Sequence, residues 1–518
     1  MSRVWRAVVL LVACCFWRPA EAADATALVG ALDSISTAEL QAYTDVLSND
    51  TYEGREAGSR GGQAAGRYLV DLLSRRQVHP AGDQGSYIQE FGSGYRNVLA
   101  MLEGSDPQLR QQVIVIGAHY DHVGYGTPQN SYGPTGYIHN GADDNASGVA
   151  GVLEVLDALT RPGAGLSRSV LFAFWDAEEK GLLGSKHWLQ HPTVARERIV
   201  MAINLDMIGR LRQDRLEVYG IRTSSGLRRL LAEANRHADL VLEYSWELRE
   251  DSDHYSFYEH NIPTLMLHTG LHADYHRPSD DVEKLNLQGM CRVTRLVTAL
   301  LCTLDAQPAL PTFRPACRQE RLGEQLRLEQ PLPARQGRLG IRYAPAEDAA
   351  GVVLTEVQAD SPAARAGLKV GELIVSFAGR RVDPARFSAM VLAAQSPVEL
   401  LVAAAESRAI RKVRVELAGV PVRVGLTLRA DEAEPAAALV AGVMPGSPAE
   451  LAGLLPRDRI YSVNGQGFSN VDELRELLLR LPSPLVIEYE RRGRLGEAVV
   501  ELAELPATDS LTPTPPGP

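Results

Sequence analysis

Four short apolar runs punctuate the first three hundred residues of this chain, at 113–118, 170–175, 199–205 and 264–267. Each is dense in Val, Ile, Leu, Phe and Met and reads as a strand buried on both faces, the pattern of parallel strands in α/β proteins. Apolar positions at helical spacing occupy 62–75, 149–159 and 285–304. A further strand, Arg96-Asn-Val-Leu-Ala-Met-Leu102, begins the sheet, and 113–118 pairs near it. From there strands and helices alternate to about residue 304, which predicts a mostly parallel sheet with helices on both faces. Residues 23–95 lead into the sheet as helices and loops, with 47–66 expected as a surface loop and helix start.

The apolar runs end alike. The first runs into His119-Tyr120-Asp121, the second into Asp176-Ala177-Glu178-Glu179, and the third ends at Asp206. The fourth is followed by His268 and then Asp274-Tyr275-His276. Ligands of open α/β sheets bind beyond the carboxyl ends of the strands. Among these strands lies the polar stretch Asn140-Gly-Ala-Asp143-Asp144-Asn145-Ala-Ser147-Gly148, which opens the 149–159 helix. The helix dipole favours an anion there, although a plain N-cap would also explain Asp144. A Gly-, Pro- and Tyr-rich loop at 124–138 is expected at the rim of the site.

The pattern changes after residue 306. Residues 307–336 are rich in proline and charge and read as a linker. Two similar units follow, at 337–418 and 421–505. Ser361-Pro-Ala-Ala-Arg-Ala-Gly-Leu368 and Ser447-Pro-Ala-Glu-Leu-Ala-Gly-Leu454 agree at six of eight positions. Each precedes an apolar strand, a glycine turn (Ala378-Gly379, Asn464-Gly465), a helix near 384–394 or 471–481, and a last strand pair. Two copies are too few for a solenoid, so they are tandem small domains. Residues 506–518 are Pro- and Thr-rich and read as disordered.

Composition narrows the function classes. The 518 residues carry a net charge of −11, which argues against nucleic acid or an anionic membrane surface as partner. Residues 1–22 read as a secretory signal, with Arg3 and Arg6, an apolar run, and an Ala20-Glu21-Ala22 cleavage site. The expected location is therefore periplasmic or secreted, with no transmembrane segment in the mature chain. Leu11-Val12-Ala13-Cys14 also resembles a lipobox, which would anchor the protein through Cys14. Cys291, Cys302 and Cys317 then remain, without zinc-finger spacing. Cys302 and Cys317 flank a proline-rich turn and are the expected pair if any disulfide forms; Cys291 reads as helix core. Phosphoryl-transfer and serine-hydrolase motifs are absent.

His119, Asp144, Glu179, Asp206 and His276 supply two imidazoles and three carboxylates, too many for one tetrahedral zinc. They suit two Zn²⁺, each with one His and one terminal carboxylate, sharing Asp144 as a bridge. Paired ions polarise a carbonyl and generate hydroxide near neutral pH. Glu178 and Glu179 are neighbours and point differently, so one can ligate while the other serves as general base. Asp121 is placed to accept the second ring N–H of His119, and Tyr275 to steady an oxyanion. His122, His139, His254, His268 and His272 are expected to pack or hydrogen-bond instead of ligating. Ser252-Asp253-His254 is a candidate element beside the substrate.

Residues 40–304 resemble the co-catalytic zinc aminopeptidases of the aminopeptidase Y family. The motifs are Gly117-Ala-His119-Tyr-Asp121-His122, Gly141-Ala-Asp-Asp144-Asn-Ala-Ser-Gly148, Trp175-Asp-Ala-Glu178-Glu179-Lys-Gly-Leu-Leu-Gly-Ser185, Asn204-Leu-Asp206-Met-Ile-Gly209 and Asp274-Tyr-His276-Arg-Pro-Ser-Asp280. The resemblance implies a zinc exopeptidase fold in 23–306 and ligands His119, Asp144 (bridging), Glu179, Asp206 and His276. It also implies Glu178 as base, Asp121 in support, and a cis peptide after Asp144. The tandem units resemble PDZ domains of exported bacterial proteases. That implies carboxylate-binding loops at Leu339-Gly340-Ile341 and Val424-Gly425-Leu426, in which a peptide adds a strand and its carboxylate sits among backbone N–H groups. The expected function is removal of amino-terminal residues from peptides or proteins. The rivals are a glutaminyl cyclase or carboxypeptidase on the same fold, or a PDZ scaffold with incidental peptidase activity.

Overall fold

The computed structural model of the chain describes residues 19–76, 78–333, 337–347 and 351–502. The signal segment as far as residue 18, Cys14 and the 506–518 tail lie outside the described residues. Among the described residues no helix is long and apolar enough to cross a membrane.

In chain order the elements begin with α1 (Pro19–Ser34), α2 (Thr37–Leu47), α3 (Arg60–Arg75), β1 (His79–Pro80), β2 (Ile88–Phe91), β3 (Tyr95–Leu102) and β4 (Val113–His119). Next come α4 (Gly148–Leu159), β5 (Ser169–Trp175), α5 (Leu183–Gln190), β6 (Ile199–Leu205), β7 (Arg215–Tyr219), α6 (Leu227–Ala234) and β8 (Val241–Ser245). Then α7 (His254–Glu259), β9 (Thr264–His268), α8 (Leu287–Asp305) and α9 (Leu322–Glu329) follow. The chain forms two compact units, Met1–Gln213 with Leu267–Pro308, and Asp214–Met266 with Ala309–Pro518.

The first unit is built on the sheet order β1-β3-β5-β4-β6. β4 is parallel to both β5 and β6, in a register that sets His119 beside Trp175 and Gly117 beside Asn204. β3 runs antiparallel to β5, so β5 separates β3 from β4 and the expected neighbouring of β3 and β4 is one strand removed. Every residue of β4 and β5 is buried, as strands covered on both faces require. α4 packs on β4, β5 and β6 and against α2 and α8, while α3 and α5 pack on β3. Because the strands are parallel, β4, β5 and β6 deliver their last residues to one end of the sheet.

The second unit contains the parallel pair β7–β8 and two six-stranded sheets of matching topology. The first small sheet has β10 (Ile341–Pro345), β11 (Val352–Val357), β12 (Leu373–Phe377), β13 (Arg380–Arg381), β14 (Val398–Ala403) and β15 (Ile410–Val415), with helices α10 (Pro362–Arg365) and α11 (Phe387–Ala393). The second has β16 (Leu426–Ala430), β17 (Ala438–Val443), β18 (Arg459–Val463), β19 (Gln466–Gly467), β20 (Leu485–Arg491) and β21 (Arg494–Val500), with α12 (Pro448–Leu451) and α13 (Val471–Arg480). The strand orders are β10-β11-β12-β14-β15 and β16-β17-β18-β20-β21, which leaves β10 and β16 as edge strands.

The repeated Ser-Pro-Ala motif is a helix start in both copies. Ser361 accepts the Ala364 N–H and Ser447 the Glu450 N–H, with proline in the first turn where its missing donor costs nothing. The turn Ala378-Gly379 has the same two positive φ angles (52° and 75°) as Asn464-Gly465 (50° and 71°), so alanine takes the asparagine position without changing the turn. Within the 307–336 segment, the described residues form a 3₁₀ turn at Pro315–Arg318 and α9, more order than a proline-rich linker predicts. Arg429 from β16 donates to the carbonyls of Arg327, Leu328 and Gln330, closing the end of α9.

The expected Cys302–Cys317 disulfide is not formed, and all three described cysteines are free thiols. Cys302 sits on α8 and Cys317 in the 3₁₀ turn, each packed within its own element. Burial pushes the Cys302 thiol up to about 12 and those of Cys291 and Cys317 to about 11, so they stay protonated and unreactive.

Candidate metal centre

The strand ends of the first unit converge on one acidic cluster. His119 closes β4, Glu178 and Glu179 follow β5, and Asp206 follows β6. Asp144 arrives on the turn before α4, and His276 on the loop after β9. Two donor groups result, His119 with Asp144 and Asp206, and His122 with Asp144, Glu179 and His276; in each, the donor atoms all lie within 4.8 Å of one another. All five expected ligands are brought together, and Asp144 belongs to both groups. His119 Nε2 is 3.3 Å from Asp144 Oδ1 and 3.6 Å from Asp206 Oδ1. On the other side His276 Nε2 is 3.1 Å from Asp144 Oδ2 and 3.2 Å from Glu179 Oε2.

Asp144 is not an N-cap. The turn from Ala142 to Ser147 departs from helical geometry at Asp144 and Asn145, whose peptide bond is cis. The Asn145 side chain does the capping, since its Oδ1 accepts the N–H of Gly148 at 2.9 Å. Its Nδ2 donates to the Leu205 carbonyl, which ties the turn to the end of β6. The Asp144 carboxylate is thereby left for the cluster.

Asp121 does other work than expected. His119 Nδ1 lies 3.1 Å from the Asp121 carbonyl oxygen but 3.7 Å from its carboxylate. The carboxylate instead accepts the backbone N–H groups of Glu178, at 3.0 Å, and Glu179, at 3.4 Å. Two residues after a strand end, the main-chain oxygen reaches the ring first, and the side chain turns to the neighbouring strand's exit.

Charge tests whether this donor set fits a cation. Burial works against charge on His276, but its bonds to Asp144 and Glu179 hold the imidazole up to about 11. The buried Asp144 is held well below the carboxylate range by His122, His119 and His276. Beside the buried carboxylates the cationic form is favoured at His276 and at His119. Buried His122 Nε2 lacks a hydrogen-bond partner. Divalent ions held by the carboxylates would supply that charge and leave the imidazoles neutral as ligands. The residues fit zinc in type, nitrogen and oxygen donors being its usual ligands outside thiolate sites.

Tyr275 is beside the cluster. Its ring lies 4.0 Å from the His276 ring, and burial followed by the charges of Asp144, Glu179, Asp206 and Glu178 raises its hydroxyl far above the ordinary phenol range. The 124–138 loop meets the same residues. Tyr132 N–H donates to the His276 carbonyl, His276 Nδ1 lies 2.9 Å from the Asn130 carbonyl, and Arg277 donates to that of Gly133.

Sequence reasoning missed three supports. Arg55, in the stretch expected as surface loop, is 1% exposed. Its guanidinium donates to the carbonyls of Leu47, Tyr120, Asn140 and Gly141, pinning the chain just after His119 and just before Asp144. Only the neighbouring glycines signalled this. Gly54 is left-handed, and a Cβ there would meet the Gly124 carbonyl at 2.4 Å. Asp280 Oδ2 accepts the N–H groups of Asp143 and Asp144, and Arg210 holds its other oxygen. His122, expected to pack or hydrogen-bond instead of ligating, lies 2.8 Å from Glu179 Oε1 and also belongs to the donor group. His139 and His268 keep to local partners, Ser131 and the Gly270 N–H, and His272 Nε2 lies 3.2 Å from Asp143 Oδ2. Ser252, Asp253 and His254 are buried at the start of α7 in the second unit.

The candidate PDZ loops are alike in detail. Gly340 and Gly425 have φ of 75° and 90°, and a Cβ on either would fall 2.3 or 2.2 Å from Ser361 or Ser447 Cβ. Ile341 and Leu426 begin the two edge strands. Arg338 and Arg423, each two residues before the glycine, donate to carbonyls at the ends of α11 and α13.

A mixed sheet, parallel across β5, β4 and β6 and antiparallel from β5 to β3 and outward, with His, Asp and Glu donors gathered at its strand ends, defines a zinc-exopeptidase-type protein, here joined to two small β-rich units. The profile of peptidase family M28 matches residues 97–301, and the PDZ domain profile matches 353–403 and 439–491. Leupeptin-inactivating enzyme 1 of Streptomyces exfoliatus is 32% identical over 181 residues, 34% of this chain and 36% of that protein. The uncharacterised Escherichia coli K12 protein YfbL is 31% identical over 248 residues, 40% of this chain and 71% of that protein. Aminopeptidase YwaD of Bacillus subtilis is 28% identical over 197 residues, 36% of this chain and 40% of that protein. The chain thus spans well under half the length of two of these relatives. It belongs to peptidase family M28 and carries two PDZ domains.

Proposed function

We propose that this protein is an exported zinc aminopeptidase that removes amino-terminal residues from peptides, with PDZ units that take peptide carboxyl termini. The observation that supports it best is the double membership of Asp144. His119 and Asp206 on one side and Glu179 and His276 on the other would hold two zinc ions with Asp144 between them. Bound zinc supplies Lewis acidity to the scissile carbonyl and lowers the pKa of water. Glu178, half-buried and one residue from Glu179, takes the proton from the attacking water and passes it to the leaving amine. Asp121 fixes the Glu178–Glu179 turn by accepting both N–H groups, and the Tyr275 hydroxyl donates to the developing oxyanion. Gly340, Ile341, Gly425 and Leu426 receive the carboxyl end of a peptide added to β10 or β16.

A peptide-library digest with and without chelator tests this reading. Free amino termini should be trimmed stepwise, acetylated ones spared, and activity should vanish with chelator and return with zinc. Metal analysis should find about two zinc ions per chain. Release from the carboxyl end would make it a carboxypeptidase. Pyroglutamate formation with one zinc would make it a cyclase, and no turnover of any peptide by metal-replete protein would leave only a scaffold.

A further inference from the structure

The second PDZ unit is joined to residues 222–246, which lie within the M28-matched span, by a built interface. Helix α6 begins at Gly226 without a side-chain cap of its own. The cap comes from the loop after β16. Glu434 Oε1 accepts the Arg228 N–H at 3.0 Å, and the Ala433 carbonyl accepts that of Gly226 at 2.9 Å. A carboxylate at a helix start stabilises both the unpaired N–H groups and the dipole.

Two buried ion pairs stand beside this cap. Arg228 donates to both oxygens of Glu490, at 2.6 and 3.2 Å, and its guanidinium lies 4.1 Å from the Tyr244 ring. Glu490 is wholly buried. Arg222 donates to Asp431 at 2.7 Å and stacks 3.6 Å from the Trp246 ring. The turn between β20 and β21 completes the contact. Leu242 N–H donates to the Arg492 carbonyl at 2.9 Å, and Asn235 Nδ2 bridges the carbonyls of Gly493 and Leu240 at 2.8 Å each. Gly493 has a φ of 82°, and a Cβ there would stand 2.4 Å from Leu242 Cγ, so the turn fits this surface only as glycine. Around the rim Arg236 meets Glu488, Arg492 meets Glu243 and Arg494 meets Asp239.

We propose that the second PDZ unit is fixed to the 214–266 segment of its own compact unit, whose α6 it caps and whose β8 it clamps, and is not a module on a tether. Tethered modules meet through small, wet, exchangeable surfaces. Here separation would break the buried Arg228–Glu490 and Arg222–Asp431 pairs, and parting a buried pair is costly until water reaches it. The contacts with 222–246 come from the loop after β16, from β20 and its turn, and from the start of β21, and none of those named uses the β16 edge itself. A peptide held at that edge is therefore held at one set distance from α6 and β8. Nothing in this rests on the aminopeptidase reading.

Hydrogen exchange on the full chain tests it with two variants, Gly493→Val on the PDZ side and Arg228→Gln on the other. Both should speed exchange across 227–245 by at least about tenfold, while α13, remote from these contacts, keeps its protection. Unchanged exchange across 227–245 in both variants, with α13 still protected, would overturn the proposal. If Gly493→Val unfolds the PDZ unit, seen as lost α13 protection, Arg228→Gln decides alone. Faster exchange at 227–245 and 486–499 supports the clamp, and wild-type exchange at both refutes it.

Discussion

Asp121 and Glu178 are joined by one hydrogen bond, from the Glu178 N–H to Asp121 Oδ1 at 3.0 Å. That bond sets the turn on which two adjacent glutamates diverge. Glu179 faces the His122, Asp144 and His276 group, while Glu178 is excluded from it. Glu179→Ala should therefore lower zinc content and activity together. Glu178→Gln should keep both zinc and fold while kcat falls by about 10²–10⁴ with KM little changed. Metal analysis beside steady-state kinetics checks both. Zinc loss in Glu178→Gln would mean the two roles are exchanged, and normal turnover would remove Glu178 from the mechanism.

Arg55 is a buried cation whose hydrogen-bond partners are four carbonyls, with Asp144, Asp121, Asp280 and Glu179 near enough to favour its charge. Arg55→Lys keeps the charge but cannot reach all four oxygens. It should lose about 2–4 kcal/mol of stability and release zinc faster to a chelator. Denaturant unfolding and a chelator-competition time course measure these. Wild-type values in both would show that the guanidinium fork is dispensable.

Glu154 on α4 accepts the Ser36 N–H at 3.0 Å and is otherwise buried beside Glu39 and Asp157. Burial, with help from those two charges, raises its carboxyl to about 7. A raised acid binds its proton more tightly in the folded state. Its contribution is therefore fully present below the ordinary glutamate value and is lost as pH rises to about 7. Glu154→Gln should raise stability at pH 8, by about 1 kcal/mol or more, and leave it unchanged at pH 4. An equal shift at both pH values would mean that packing, not ionisation, is responsible.

If Gly340 and Gly425 shape carboxylate pockets, the full chain should bind peptides that end in an apolar residue with a free carboxylate. Amidating those peptides should weaken binding about tenfold or more. Calorimetric titration with catalytically silent Glu178→Gln protein avoids digestion. Binding indifferent to amidation in every ligand would exclude capture of the terminus.

The sequence by itself determined the sheet class, the tandem units and the identity of the cluster. Apolar runs that end in His, Asp or Glu say what each strand delivers, and parallel order makes them deliver to one place. It could not say that Asn145 caps α4 while Asp144 is kept for the cluster, because both are polar residues at one helix start. Nor could it show that Asp121 supports Glu178 and Glu179 more directly than His119. A side chain's acceptor depends on which neighbouring strand exits beside it, and that is set by sheet order. Sequence alone offers no partner for Arg55 or Arg228, and arginine is ordinarily solvated. Only tertiary structure surrounded one with carbonyls and matched the other to Glu490, more than two hundred and fifty residues away. Local pattern records what a residue can do, and packing decides with whom.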